Sequence, residues 1–254
     1  MSTSTLHPQA KEKIDKLLNK INEVRSKVKS VIVFGSAVRG DSFKPNVSDV
    51  DIAIVIEKSD DLKISEIKDV DEQLEIGIFT VGQFLDLWLS GDPLAHMIWR
   101  EGIAVVDDGF YSKLKARGEP KITKLTIMKL RFWGLRDLAH AIKPGMSRSK
   151  AIRSLHHAVR NFARLRIARD KRVFAITDEE ILRHLDHPLS KRYEEFLFRL
   201  EYNKEYFEQL ILEAMDVIEK LSGEPLPRLD ELMNMKLCCL LYTSPSPRDL
   251  STSR

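Results

Sequence analysis

The sequence predicts an α+β protein in which a small mixed β-sheet with flanking helices is followed by an all-α helical bundle. Two observations predict this order. Runs of β-branched residues bounded by glycine and polar loops are confined to the first 118 residues. After the segment KARGEP at 115–120, apolar residues recur only at helical spacing. We therefore expect two domains, residues 1–118 and 119–223, followed by a linker and tail at 224–254.

The first domain is predicted to contain a long helix, several short strands and two further helices. Residues 8–28 carry apolar side chains at helical spacing, which indicates a helix with one buried face. Strands are predicted from four apolar segments, SVIVF at 30–34, VDIAIVIE at 50–57, QLEIGIF at 73–79 and IAVVDDG at 103–109. The two further helices are predicted from TVGQFLDLWLSG at 80–91 and DPLAHMIWREG at 92–102.

The second domain is predicted to be helical throughout. Its helices are expected at 121–142, at 147–169 after a Ser147 cap, at 179–185 after an Asp178 cap, and at 190–221. The last residues, 236–254, are rich in serine and proline and match neither domain in composition. We expect this tail to be disordered or not native to the protein, and we exclude it from the prediction of fold and function.

Composition narrows the functional classes. A net charge of only +3 over 254 residues does not indicate a protein that coats nucleic acid. The sequence contains neither a segment apolar enough to span a membrane nor an apolar leader, so a cytoplasmic protein without membrane association is expected. Cys238 and Cys239 are adjacent and cannot form a disulfide framework or a spaced zinc site.

Two aspartates, Asp49 and Asp51, stand at the head of the second predicted strand, where charge is unusual. Residues two apart on a strand face the same side, so their like charges repel unless a cation lies between them. Oxygen ligands of this kind suit Mg²⁺. If the second and third strands pair, Glu75 adds a third carboxylate, enough to hold two ions around a phosphate.

A phosphate-binding turn is predicted just before these acids. The first strand ends in Gly35-Ser36, which offers free backbone N–H groups and a hydroxyl, and glycine lets a phosphate come close. Arg39 and Lys44 lie in the following loop and could balance the charge of a triphosphate.

Each motif alone has an ordinary structural explanation. Most Gly-Ser pairs are simple turns, and many Asp-x-Asp motifs cap loops or edge strands. Asp71 and Glu72 also compete with Glu75 for the role of third acid. The combination favours a functional site, because Gly35-Ser36, the 12 residues 37–48, the two aspartates and a later acid follow one another on successive strands.

At these residues the chain resembles the DNA polymerase β nucleotidyltransferase superfamily. The superfamily pattern is a Gly-Ser turn, a pair of acids one residue apart and a third acid on a later strand, matched here by Gly35-Ser36, Asp49, Asp51 and Glu75. The motif sequence is similar to that of the minimal and the kanamycin-nucleotidyltransferase-like members. The resemblance implies the nucleotidyltransferase fold, two Mg²⁺ ions held by the three acids, and Gly35 and Ser36 on the β- and γ-phosphates.

The helical domain adds a basic segment and a second resemblance. Residues 148–172 contain nine Lys or Arg and one acid, which indicates either a solvated face or an anionic partner. The segment is similar to the core helix of HEPN-type domains, but the chain lacks the Arg-x4-His ribonuclease motif. The aromatic residues at helical spacing are expected to serve the core or a homodimer contact rather than to stack on bases.

The leading interpretation is a Mg²⁺-dependent nucleotidyltransferase that moves AMP from ATP, or another NMP from its NTP, to a hydroxyl acceptor and releases pyrophosphate. The acceptor is either a small molecule or a protein side chain, and nucleic acid is not favoured because no dedicated RNA-binding motif is present. The alternative is a catalytically inactive nucleotide-binding or antitoxin-type regulatory protein. The presence of all three acids and the Gly-Ser turn argues against that alternative.

Overall fold

The computed structural model describes residues 6–39, 43, 48–59, 67, 70–202, 206–228 and 231–232. These residues form two compact units, which divide between Lys121 and Ile122. The predicted tail from residue 233 onward lies outside the described residues.

The first unit is built on a four-stranded mixed sheet. Its strands are β1 (Val28–Phe34), β2 (Val50–Ile56), β3 (Leu74–Thr80) and β4 (Ile103–Asp107). The strand order is β3-β2-β1-β4. Strand β1 runs antiparallel to both β2 and β4, whereas β2 and β3 are parallel. The two strands that carry the acidic residues are therefore neighbours in the sheet.

One face of this sheet is covered by helix α1 (Pro8–Ile21). The apolar stripe of α1 packs against alternate residues of the central strands, and both sets are almost fully buried: Ile14, Leu17, Ile21, Val31, Val33, Ile52 and Ile54. Burial of these apolar side chains is the main stabilising contribution to the unit. Because successive side chains of a strand point to opposite faces of the sheet, the remaining strand residues face away from α1 and pack against other helices.

The opposite face is covered by helices α2 (Val81–Ser90) and α3 (Pro93–Glu101), while the short helix α4 (Phe110–Lys115) packs beside β1 and β4. On α2, Phe84 contacts Phe79 of β3, with ring centres 6.0 Å apart. Thr80 and Gln83 form a capping box at the start of α2. The carboxylate of Asp92 accepts a hydrogen bond from Leu94 N at 2.9 Å and so fixes the start of α3.

The second unit is helical in all the regular elements that the structure describes. They are α5 (Lys124–Ala141), α6 (Arg148–Lys171), α7 (Asp178–His184), α8 (Leu189–Tyr202) and α9 (Phe207–Ser222). Helices α5 and α6 approach closely at Gly134, where an added Cβ would lie 2.6 Å from the ring of Phe162. The predicted α+β fold followed by a helical domain is confirmed.

Two sequence-based details of the second unit are wrong. The single helix predicted at 190–221 is divided into α8 and α9, and Tyr206 has a non-helical backbone with φ −96° and ψ 55°. The cap of α7 is Thr177, whose side chain accepts a hydrogen bond from Glu180 N at 3.2 Å. Asp178 is instead the first residue of α7, and its side chain is used in contacts with other helices.

Those contacts form a partly buried polar cluster around the carboxylate of Asp178. It accepts hydrogen bonds from Arg160 Nε at 2.9 Å and from Tyr193 Oη at 2.5 Å, and His156 Nε2 lies 3.1 Å away. Burial alone would raise the pKa of Asp178, but the hydrogen bonds from His156 and Arg160 hold it well below its usual range. The ionised carboxylate therefore ties together α6, α7 and α8.

Part of the charge of the basic segment 148–172 is bound within the same unit. Five of its nine cations bind groups of the same unit: Arg160, Arg164, Arg166, Arg169 and Lys171. The other four are exposed: Arg148, Lys150 and Arg153 near the start of α6, and Arg172 directly after its end. The carboxylates of Asp170, Asp178 and Asp186 therefore balance part of the predicted excess of positive charge. An anionic partner for the segment 148–172 stays an open prediction.

Within the part of the chain that is described, no helix is long and apolar enough to cross a membrane.

Candidate active site

The candidate site begins where β1 ends. After Phe34 the chain turns through a single 3₁₀ turn, Gly35–Val38. Gly35 has φ +74°, a backbone conformation that L side chains rarely adopt. Arg39 closes the turn by donating its backbone N–H to Ser36 O at 3.1 Å. A compact turn with the hydroxyl of Ser36 in it is suited to contact a phosphate.

The carboxylate of Asp51 lies directly over Gly35. In the antiparallel pairing of β1 with β2, Asp51 lies opposite Phe34, the residue immediately before the turn. A Cβ built on Gly35 would be only 2.3 Å from Asp51 Oδ2. Because Gly35 has no side chain, the Asp51 carboxylate can lie against the Gly35–Val38 turn.

Glu75 lies beside Asp51 on the neighbouring strand. The parallel β2–β3 ladder pairs Asp51 with Glu75, and residues in register on adjacent strands face the same side of a sheet. Both side chains are half-buried, as is Asp49, which lies one residue before the start of β2. The pairing is anchored by the Val50 N–H, which donates to Gln73 O at 2.8 Å.

A divalent ion fits the chemistry of these residues, because carboxylate oxygens at neighbouring positions are the ligands that Mg²⁺ prefers. In the described part of the chain, however, no group of three or more His, Cys, Asp or Glu side chains is arranged to hold a metal. The structure thus brings Asp51 and Glu75 to one place at the turn. The metal-binding role of Asp49, Asp51 and Glu75 stays a prediction.

The two predicted phosphate-balancing cations have different outcomes. Arg39 is half-buried at the exit of the turn, and its Nη1 forms a short ion pair with Glu101 Oε1 at the end of α3. Lys44 lies outside the described residues. The roles of Gly35, Ser36 and Arg39 in holding phosphates stay predictions, as does that of Lys44.

Sequence reasoning missed Glu101, although the sequence carried a signal for it. Leu94, Ile98 and Glu101 are spaced by four and three residues, which places them on one face of α3. Leu94 and Ile98 are buried, and the side chain of Glu101 is only 9% exposed. An acid in line with a buried apolar stripe needs a partner, and that partner is Arg39 directly after the Gly35–Val38 turn.

His96 on α3 is another buried group that the motif analysis did not single out. Its side chain is fully buried, with Nδ1 3.5 Å from Glu119 Oε1. Burial lowers the pKa of His96 to about 4, and a hydrogen bond with the backbone of Lys121 opposes this shift. The imidazole is therefore neutral near pH 7 and serves the packing of α3 within the first unit.

Comparisons with known proteins bear on the family and the fold. The family model for the nucleotidyltransferase domain matches residues 14–90. The chain is similar in structure to spectinomycin adenyltransferase AAD(9) from Enterococcus faecialis, solved with ATP and spectinomycin, with 13% identity, a TM-score of 0.53, and coverage of 83% of this chain and 98% of that one.

A nucleotidyltransferase-like protein from Exiguobacterium sibiricum 255-15 is a weaker structural match, with 16% identity, a TM-score of 0.37, and coverage of 83% of this chain and 74% of that one. No curated protein sequence matches the chain.

The fold and the family match define an enzyme of the DNA polymerase β-like nucleotidyltransferase class. Within that class, residues 14–90 of this chain belong to the nucleotidyltransferase domain family. This range contains the Gly35–Val38 turn, both aspartates and Glu75. The predictions of the family and of a nucleotidyltransferase enzyme are confirmed, and transfer of a nucleoside monophosphate follows as the general reaction.

Proposed function

We propose that the protein transfers AMP from ATP to a hydroxyl group of a small molecule in a Mg²⁺-dependent reaction that releases pyrophosphate. One observation carries the proposal. The Asp51 carboxylate lies over Gly35 and is paired in register with Glu75, so the Gly35–Val38 turn and two acids meet at one edge of the sheet.

The turn would hold the leaving part of the nucleotide. The backbone of Gly35 and the hydroxyl of Ser36 would bind the β- and γ-phosphates, with Arg39 and Lys44 balancing their charge. Asp49, Asp51 and Glu75 would hold the Mg²⁺ ions. When bound, Mg²⁺ supplies charge neutralisation of the triphosphate and lowers the pKa of an oxygen that it contacts.

The proposed reaction is an in-line substitution at the α-phosphorus. The acceptor hydroxyl oxygen forms a bond to this phosphorus while the bond to the bridging oxygen of pyrophosphate breaks. The hydroxyl proton passes to Glu75 or through it to solvent. The protein contributes chiefly positioning and electrostatic stabilisation, as in other phosphoryl transfers.

ATP and a small acceptor are favoured over the alternatives by one comparison. The structural neighbour solved with ATP and spectinomycin is matched over almost its full length, including the part that corresponds to the helical unit here. This supports a small-molecule acceptor over a protein side chain.

The test is incubation of the purified protein with α-labelled ATP and Mg²⁺, once with spectinomycin and once with a small-molecule extract or whole-cell lysate. Transfer of label to a small product, with release of unlabelled pyrophosphate, is expected. Label on a protein band would replace the small acceptor by a protein acceptor. If no label is transferred to any acceptor, the proposed function is wrong.

Asp51→Asn is expected to abolish the labelled product, because the substitution removes one charge from the ion-binding pair. The melting temperature without metal should stay close to that of the unaltered protein, since like-charge repulsion is relieved. Asp86→Asn, at an exposed position on α2, is the matched control and should retain activity. Unfolding of Asp51→Asn would assign the acid a structural role.

A further inference from the structure

The ion pair between Arg39 and Glu101 joins the phosphate turn to the end of α3. Arg39 directly follows the 3₁₀ turn, and its backbone N–H is bonded to Ser36 O at 3.1 Å. Glu101 is the last residue of α3, a helix that packs against the turn. The side chain of Glu101 is 9% exposed, compared with 32% for Arg39. The acid is therefore the buried member of the pair.

Within the described part of the chain, the carboxylate of Glu101 is hydrogen-bonded through only one of its two oxygens. Its Oε1 faces Arg39 Nη1, while Oε2 is buried and has no hydrogen-bond partner among the residues that the structure describes. A buried carboxylate is unfavourable unless it is paired and hydrogen-bonded. Arg39 is thus the group that compensates the charge of Glu101.

The helix itself gives no reason for an acid at position 101. The carboxyl end of a helix carries partial negative charge, which favours cations there and opposes Glu101. The position continues the buried stripe of Leu94 and Ile98, where an apolar residue would pack without a desolvation cost. The reason for the acid must therefore lie with its partner in the turn.

We propose that Glu101 is a positioning residue that orients the guanidinium of Arg39 toward the triphosphate; this rests on the proposed function. A guanidinium has five N–H donors in a rigid fork, so it can hold a carboxylate and a phosphate at the same time. Fixing the side chain in advance reduces the entropy lost when ATP binds. Glu101 therefore tightens binding of the β- and γ-phosphates without touching the nucleotide.

The test compares the binding of Mg²⁺·ATP and of AMP by calorimetric titration, in direct or competition mode, for the full chain and for Glu101→Gln. Gln keeps the shape of the side chain but loses its charge. The Kd for Mg²⁺·ATP is expected to rise about 10-fold, a typical loss when an orienting partner is removed. The Kd for AMP, which lacks the β- and γ-phosphates, should be unchanged.

Glu57→Gln is the control for loss of a paired carboxylate away from the turn, because Glu57, an exposed residue directly after β2, forms an ion pair with Lys29 at 2.7 Å. It should change neither affinity. Combining Glu101→Gln with Arg39→Gln should weaken Mg²⁺·ATP binding no further than Arg39→Gln alone, because Glu101 acts only through Arg39. If Glu101→Gln does not fold, Arg39→Lys gives a second test, since it keeps the buried charge paired but loses the fork.

The outcomes separate this inference from the proposed function. If the unaltered protein does not bind Mg²⁺·ATP, the proposed function fails. If it binds and Glu101→Gln binds equally well, only the positioning role is wrong. Equal weakening for Mg²⁺·ATP and AMP, or additive effects in the double variant, would also overturn it, because a general structural effect does not distinguish the phosphates.

Discussion

Gly35 is the residue on which the geometry of the turn depends most directly. We expect Gly35→Ala to lower the free energy of unfolding by at least the ~1–2 kcal/mol that a left-handed backbone costs an L residue. The new Cβ would also displace the Asp51 carboxylate, because it would stand 2.3 Å from Oδ2. Under the proposed function, displacing the Asp51 carboxylate by about 1 Å is expected to reduce nucleotidyl transfer by about 100-fold.

Gly118→Ala provides the control for backbone strain alone. Gly118 also has a positive φ, +98°, but a Cβ there would meet nothing within 4 Å. Gly118→Ala should lower the free energy of unfolding by a similar amount, namely the cost of a left-handed backbone, while activity is retained. The measurements are chemical denaturation and the labelled-ATP assay. Full activity in Gly35→Ala would mean that the contact between the turn and Asp51 is not needed.

His96 is expected to make the stability depend on pH. Burial lowers its pKa in the folded protein to about 4, whereas the ordinary value is 6.5. The unfolded chain therefore binds more protons between these values, so the stability contributed by neutral His96 is present above pH 6.5 and is lost as the pH falls toward 4. Between pH 7.5 and 5 the loss is about 2 kcal/mol.

The measurement is urea denaturation at each pH for the unaltered protein, for His96→Gln and for His140→Gln at an exposed position. His96→Gln should show a shallower decline between pH 7.5 and 5, while His140→Gln should follow the unaltered protein. His156, whose pKa is also lowered by burial, still contributes in both variants. An unchanged slope in His96→Gln would show that His96 is solvated.

At the level of elements, the Asp178 carboxylate is expected to hold α6, α7 and α8 together. Asp178→Asn removes the charge that compensates the largely buried guanidinium of Arg160. Breaking such a pair from one side typically costs about 3–5 kcal/mol. Tyr193→Phe removes only one donor to the same carboxylate and should cost about 1 kcal/mol. Both values are obtained from equilibrium denaturation.

Asp186→Asn is the matched control for this cluster. Asp186 forms an ion pair with Lys171 at 2.6 Å, but its side chain is largely exposed, so its loss should hardly change stability. If Asp178→Asn were no more destabilising than Asp186→Asn, the cluster would not stabilise the second unit.

The sequence predicted elements well where a local pattern determines them. The β-branched runs before Gly35 and after Asp49 predicted β1 and β2, and the Asp-Pro pair at residues 92–93 predicted the start of α3. The prediction was wrong where a side chain binds residues distant in sequence instead of a neighbouring backbone group. Asp178 is a good cap by composition, yet Thr177 caps α7 because the carboxylate is bound by Arg160 and Tyr193. No local signal contains that information.

For the whole molecule, the order of the strands decides which acids meet. The sequence allowed Glu75 to join Asp51 only if β2 and β3 were neighbours, a condition that periodicity cannot establish. The sheet places these strands side by side and in register at Asp51 and Glu75. The contact of Arg39 with Glu101 depends in the same way on how α3 packs against the turn, which is why the motif alone did not include it.

The same arrangement predicts that Mg²⁺ and ATP stabilise the folded protein only together. A ligand that binds the folded state alone raises the free energy of unfolding by about 2.7 kcal/mol at a concentration of 100 Kd. The melting temperature should therefore rise with ATP plus Mg²⁺, and removal of the ion with EDTA should reverse most of this rise. Asp51→Asn should show little increase under any condition, because Mg²⁺ then has fewer carboxylate ligands.

Asp86→Asn should show the full increase, since it changes the same type of side chain at an exposed position of α2. Differential scanning calorimetry of the full chain measures all of these shifts. An equal increase with ATP in the presence of EDTA would mean that the triphosphate is held by Gly35, Ser36 and the cations alone. In that case Asp51 and Glu75 would act on the acceptor rather than on an ion.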